Sequence, residues 1–187
     1  MKKTSAATVS LVMFFLSFAY AQTNGNPVID VILSSYSQRA FTTQQVTDGE
    51  IDQIITCGIK APSARNGQPW HFTVVKDSAL CKNVIPKITD GNVVIVISGP
   101  DSTGASVDFD CALATENMFI AAQALGLGAR IYTGPVRNVN ATLKESLDIP
   151  AGYRVIALLR IGNIDKTVDA VSAASKRKDA KEMVNTK

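Results

Sequence analysis

Apolar and polar positions along this chain follow two periods, and the switch between them marks its elements. Asn26-Pro27 reads as a helix cap followed by proline at the first helical position, where the missing N–H costs nothing. Val28, Ile29, Ile32 and Leu33 then form one apolar stripe. Thr47 and Glu50 make a capping box ahead of a second stripe, Ile51, Ile54, Ile55 and Ile59. Proline disfavours helix in the residue before it, so this helix stops at Ala61-Pro62. The pattern then predicts a strand from Phe72 to Lys76 and a short helix over Ser78–Ile85. The unbroken apolar run Val93–Ser98 predicts a buried strand.

Asp108 to Leu125 is the longest helical stretch. It is apolar on most of its circumference, which predicts burial on more than one side and, in a chain this small, contact with a second subunit. Gly126 and Gly128 end it. An extended piece over Ala129–Thr133, a short helix over Ala141–Leu147 and a core strand over Tyr153–Gly162 follow. From Asp165 onward the hydrophobic period fades. Helices and strands mix without βαβ alternation, which predicts an α+β domain. Gly126-Leu127-Gly128 closes a helix instead of opening one, so a dinucleotide-binding βαβ unit is disfavoured.

The N-terminus has a different pattern. Lys2 and Lys3 precede an apolar run from Ala6 to Tyr20, and Ala19-Tyr20-Ala21 has the small-x-small form of a signal peptidase site. Residues 1–21 are therefore expected to be a signal peptide cleaved after Ala21. That leaves 22–187 as one domain, periplasmic or secreted from a bacterium, with no membrane association after cleavage. Losing Lys2 and Lys3 takes the 19 basic residues to 17 against 16 acidic ones, a charge near +1. Such a balance is no signature of nucleic-acid binding. Cys57, Cys81 and Cys111 match no zinc spacing and read as small buried hydrophobes, and His71 is the only histidine.

Candidate chemistry concentrates in Ala61–Phe72, APSARNGQPWHF. Pro62 and Pro69 fix the backbone on either side of Ser63, Ala64, Asn66, Gly67 and Gln68, while Trp70 and Phe72 anchor the segment. This loop offers neutral donors and acceptors at fixed angles and no nucleophile, which suits a flat heteroaromatic ring. A serine-hydrolase reading would need a GxSxG elbow, and none is present. A second segment, Ser35-Tyr36-Ser37-Gln38-Arg39 with Phe41 after it, sets a hydroxyl and a guanidinium two residues apart, a pairing that can grip phosphate. By itself such a segment is usually only a solvated connection.

The loop resembles the flavin-contacting APSxxNxQPWxF element of the nitroreductase family at every fixed position. Ser37, Arg39 and Phe41 match that family's RRSxRxF phosphate segment, with Ser35 and Tyr36 standing where two arginines are usual. Asp110, Ala114, Asn117, Ala121, Ala122 and Leu125-Gly126-Leu127-Gly128 match its DxxxAxxNxxxAAxxLGLG helix, and Lys176-Arg177-Lys178 its basic C-terminal segment. These four elements span nearly all of residues 22–187. The resemblance implies a central, mostly antiparallel sheet flanked by helices in an intertwined homodimer, with FMN at the subunit interface. It implies two-electron reduction of nitroaromatics, quinones or similar small-molecule acceptors, with NAD(P)H or another reductant as donor. Pro62, Ser63, Ala64 and Asn66 would meet the flavin ring, and Thr133 and Gly134 its reactive edge. The Ser35, Tyr36, Ser37, Gln38 and Arg39 segment would take the phosphate together with Arg177, and no side chain need act as acid or base. Two other readings stay open: a flavin-binding protein of the same fold without turnover, and a reductive dehalogenase of the iodotyrosine type.

Overall fold

The computed structural model describes residues 25–102, 105–169 and 177–187, so the expected signal peptide and Lys176 lie outside the described residues. The capping signals act as read. The Asn26 side chain accepts the N–H groups of Val28 and Ile29 at 3.0 and 3.4 Å and starts α1 (Pro27–Ser34). Thr47 Oγ1 accepts the Glu50 N–H at 3.3 Å, and the Glu50 carboxylate accepts the Thr47 N–H at 2.8 Å. That reciprocal pair starts α2 (Asp48–Ile59).

There follow β1 (His71–Val75), α3 (Ser78–Val84), β2 (Val93–Pro100), α4 (Ala105–Ala124), β3 (Gly128–Tyr132), α5 (Val136–Thr142) and β4 (Tyr153–Gly162). The strands form an antiparallel sheet in the order β1-β2-β4-β3. The unbroken apolar run on β2 has a simple cause: the strand is central and covered on both faces. Ile95 and Ile97 face α2 and α4, packing with Ile51, Ile54, Met118 and Ala122. Val94 and Val96 face the other way, into a second core with Cys81 and Val84 of α3, Val139 of α5 and Leu147. The fold is α+β, as the mixed periods predict.

Two expectations need correction. The short helix expected over Ala141–Leu147 lies earlier, at Val136–Thr142. Pro135, with φ −72° and ψ −13°, is already helical, and its carbonyl accepts the Val139 N–H at 3.0 Å. The amide of Asn140 then bonds the Val155 backbone in both directions, at 2.8 and 2.9 Å, which pins α5 against β4. Cys57, expected in the core, is exposed. It lines a cleft with Val28, Ile32, Thr56, Lys60 and Asn117. Cys81 and Cys111 are buried, in cores on opposite faces of the sheet. A disulfide needs Cα atoms within about 7 Å, so these two cannot pair across it.

Candidate functional site

The Pro62–Asn66 loop is held in a strained shape. Arg65, Asn66 and Gln68 all have positive φ, at 53°, 56° and 46°, a region that side chains with a Cβ enter only under local constraint. The constraint is a set of bonds. Gln68 donates its backbone N–H to Ser63 Oγ at 3.0 Å and its side-chain amide to Asn66 Oδ1 at 3.2 Å. Ala64 donates its N–H to both carboxylate oxygens of Asp110, at 3.1 and 3.2 Å. Asp110 is buried in the first turns of α4, so the loop is bolted to the longest helix of the fold.

The loop and the helix enclose a cleft of about 590 Å³ lined by Pro62, Ser63, Ala64, Ser106, Phe109, Asp110 and Leu113. Its one charged side chain is Asp110, whose carboxylate is engaged with Ala64. What remains is a largely apolar slot with a hydroxyl and backbone groups at its edge, and with Phe109, 64% exposed, at its rim.

The Ser35–Arg39 segment lies elsewhere. Tyr36 donates its N–H to Gln123 Oε1 at 3.1 Å, so this segment is tied to the far end of α4. Ser35, Tyr36 and Gln123 line a second cleft with Val31, Leu33, Leu127 and Ile164. The hydroxyl of Ser35 is used inside the chain, donating to the Ile32 carbonyl at 2.8 Å where α1 ends. Gln38, 1% exposed, turns inward. Its Oε1 accepts the N–H groups of Arg39 and Ala40 at 2.7 and 3.2 Å, and its Nε2 donates to the Tyr36 hydroxyl at 3.1 Å. Ser37 and Arg39 are exposed, and neither side chain makes a bond among the described residues. Gln38 therefore fixes the backbone that presents them.

Thr133 and Gly134 are exposed in the turn after β3, and a Cβ on Gly134 would meet open space. Arg177 is exposed in the terminal segment. His71 is exposed beside Tyr153, with ring centroids 6.3 Å apart in an edge-on arrangement. No group of three His, Cys, Asp or Glu residues among those described stands close enough to hold a metal ion. Sequence reasoning singled out Asp110 only as part of a motif. It missed Gln123, which sits between two alanines and carries no local signal.

The sequence pattern of the nitroreductase family runs through residues 32–92 and 86–163, and the chain belongs to that family. It is 32% identical over 146 residues to an Archaeoglobus fulgidus protein provisionally named NADH dehydrogenase/NAD(P)H nitroreductase. That match covers 72% of this chain and 83% of the relative. Among solved structures, an FMN-dependent nitroreductase from Clostridium difficile R20291 superposes with a TM-score of 0.70 and 26% identity. It covers 86% of this chain and 99% of that one. A nitroreductase with bound FMN from Desulfitobacterium hafniense DCB-2 gives a TM-score of 0.73 at 20% identity, over 87% and 99%. At that identity the likeness speaks for the fold alone, which is nitroreductase-like.

Proposed function

We infer that this protein is an FMN-dependent oxidoreductase that reduces nitroaromatic, quinone or similar acceptors. It would do so by two-electron transfer in alternating half-reactions, with NAD(P)H or another reductant as donor. The observation that carries this reading is the strained Pro62–Asn66 loop, bolted by Asp110 against a largely apolar slot. An amphipathic ring suits that slot, because apolar walls cover its faces while a few fixed polar groups meet its edge. The residues present fit FMN at both ends. Ser63 Oγ accepts from Gln68, which leaves its hydroxyl proton to donate, and Asn66 Nδ2 is a second donor. Pro62 and Ala64 would pack on the ring face, and Thr133 and Gly134 would offer backbone groups to its edge.

The phosphate would fall to Ser37, Arg39 and Arg177. Ser35 and Tyr36 add no charge there, and Gln38 acts by holding the Arg39 backbone. Bound FMN supplies the redox chemistry, accepting two electrons from the donor and passing them to the acceptor. The protein's part is to orient the ring, leave its exposed edge open to small flat acceptors, and hold the phosphate.

The separation of the two halves supports a homodimer. Asp110 and Gln123 are thirteen residues apart on one helix, about 20 Å along its axis. Loop and phosphate segment therefore sit near opposite ends of α4. In a two-fold pair with crossed α4 helices, the loop of one copy comes to the phosphate segment of the other. The exposed Val28, Ile29, Ile32 and Leu33 on α1 give such a pair apolar surface to bury.

The decisive experiment is the visible spectrum of the purified protein before and after anaerobic reduction. We expect a flavin spectrum that bleaches with dithionite and recovers with a nitroaromatic or a quinone. A flavin that bleaches and does not recover would favour the non-catalytic reading. A colourless protein that takes up no added FMN would end the proposal.

Export rests on the N-terminal pattern alone. We propose that residues 1–21 direct export and are removed after Ala21. N-terminal sequencing should find Gln22 in a periplasmic fraction, whereas an intact Met1 start in the cytoplasm would refute it. Outside the cytoplasm the donor would be a reductant other than the NAD(P)H pool.

A further inference from the structure

An arginine pair on the sheet face turned away from α2 and α4 is used by nothing described so far. Arg130 on β3 stands directly opposite Arg160 on β4. Like charges in that relation repel. Arg160 is 6% exposed, and all its contacts are neutral. Its Nε donates to Asn92 Oδ1 at 2.7 Å, its Nη2 donates to Thr89 Oγ1 at 3.0 Å, and its guanidinium lies 3.9 Å from the centroid of the Phe41 ring. Arg130 is half-buried and stacks over Tyr132, 4.7 Å from the ring centroid.

Among the described residues no carboxylate pairs with either charge. The ion pairs among the described residues involve neither arginine. Burial holds the Arg160 guanidinium below its ordinary range and the Arg130 charge adds to that, while the neighbouring Tyr132 hydroxyl and, more weakly, Cys81 act the other way. A buried charge without a counter-charge is costly to keep. Yet Arg160 is held in place with care: Asn92 donates its own amide to the Thr42 carbonyl at 3.2 Å, which aims its oxygen at Arg160.

We propose that Arg130 and Arg160 form a phosphate-binding site separate from the one that takes FMN. With its Nε and Nη2 engaged by Asn92 and Thr89, Arg160 keeps Nη1 to donate, and Arg130 opposite it adds a second positive charge for the oxygens of a phosphate. Arg160 is the fixed base of the site, and half-exposed Arg130 is its entrance. The phosphate is either the free ion or one carried on a nucleotide.

The test is thermal unfolding of the full protein in inorganic phosphate and in AMP, each against chloride at equal ionic strength, with and without saturating FMN. Phosphate at tenfold its Kd should raise Tm by about 3–6 °C, to the same extent with FMN present. Protection by phosphate at concentrations similar to AMP assigns the free ion. AMP acting at tenfold lower concentration assigns a nucleotide. With FMN saturating, Arg130→Gln should remove the response, Arg130→Lys should keep part of it, and Arg39→Gln should keep all of it while binding FMN more weakly. Circular dichroism identifies a variant that has failed to fold, in which case Arg130→Lys alone must show a weaker phosphate response. The proposal is overturned by the absence of protection, by its survival in Arg130→Gln, or by its disappearance on FMN loading. The last result would mean that the arginines serve the flavin's own phosphate.

Discussion

Asp110 accepts the backbone N–H of Ala64 through both carboxylate oxygens, at 3.1 and 3.2 Å, across 46 residues of sequence. This contact ties the Pro62–Asn66 loop, proposed to meet the flavin ring, to α4. Replacing Asp110 with Ala leaves the Ala64 N–H with no partner beneath the loop, at a stability cost of about 1–3 kcal/mol. The loop's positive-φ residues lose their brace at the same time, so FMN should bind about tenfold or more weakly. Urea unfolding reads the first effect and quenching of flavin fluorescence the second. Unchanged FMN affinity in a destabilised Asp110→Ala protein would show that the brace and the flavin site are independent.

Arg39 carries the permanent positive charge of Ser35–Arg39, the segment proposed to take the FMN phosphate, since Ser35 and Tyr36 stand where arginines are usual. Loss of a charged hydrogen bond costs about 1.5–3 kcal/mol. Arg39→Gln should therefore raise the FMN dissociation constant about 10- to 100-fold. The fold should be intact, because the exposed Arg39 side chain makes no hydrogen bond or ion pair among the described residues. Fluorescence titration with FMN checks this directly.

Phe109, at the rim of the cleft, can reach an acceptor without gripping the cofactor. An aromatic contact of this kind contributes about 1 kcal/mol. Phe109→Ala should raise KM for nitroaromatic and quinone acceptors about fivefold, with kcat and FMN affinity nearly unchanged. Steady-state kinetics with a saturating artificial donor separates the two. A fall in kcat with constant KM would place Phe109 on the cofactor instead.

The three thiols should behave differently. Cys57 is exposed, while Cys81 and Cys111 are buried, so a thiol reagent should titrate one group per native chain and three after denaturation. Burial pushes the Cys111 thiol up to about 12 and raises Cys81 as well. Between about pH 9 and 12 the folded chain thus keeps a Cys111 proton that the unfolded chain has lost. Stability is full below pH 9 and falls as pH rises through that window, by up to about 1.4 kcal/mol per pH unit for each thiol. Urea unfolding at pH 8, 9 and 10 should show the decline, and Cys111→Ser should reduce its slope.

Gly91 has φ +81°, and a Cβ there would run into the carbonyl of Thr43. Gly91→Ala should cost about 2–4 kcal/mol through the unfavourable φ and the clash. The Thr43–Val46 connection should loosen with it, since Val46 donates its N–H to the Gly91 carbonyl at 3.4 Å. Hydrogen exchange at Val46 reports that loosening even where global unfolding does not.

Much of this architecture was legible in the sequence because its signals are local. The Asn26 cap, the Thr47–Glu50 box and the apolar run of β2 each act within a few residues. The short helix was placed too late because Ala141–Leu147 carries the apolar spacing. Pro135 and the Asn140–Val155 bonds, which decide where α5 lies, act across the fold. The same limit hid the site's supports. Asp110 reaches Ala64 over 46 residues, and Gln123 reaches Tyr36 over 87. Cys57 was misplaced because a small apolar residue in a helix reads as core until the neighbouring elements are known. Arg130 and Arg160 were invisible as a pair because only the β3–β4 register sets them opposite each other.

The thirteen residues between Asp110 and Gln123 make α4 a spacer as well as a packing element. One residue inserted between them would turn one end of the helix relative to the other by about 100°, moving Gln123 off Tyr36 or Asp110 off Ala64. Substitution along that stretch is limited by volume, but insertion or deletion is limited by angle, and no repacking restores an angle. Natural or designed variants of this chain should therefore hold α4 to a fixed count.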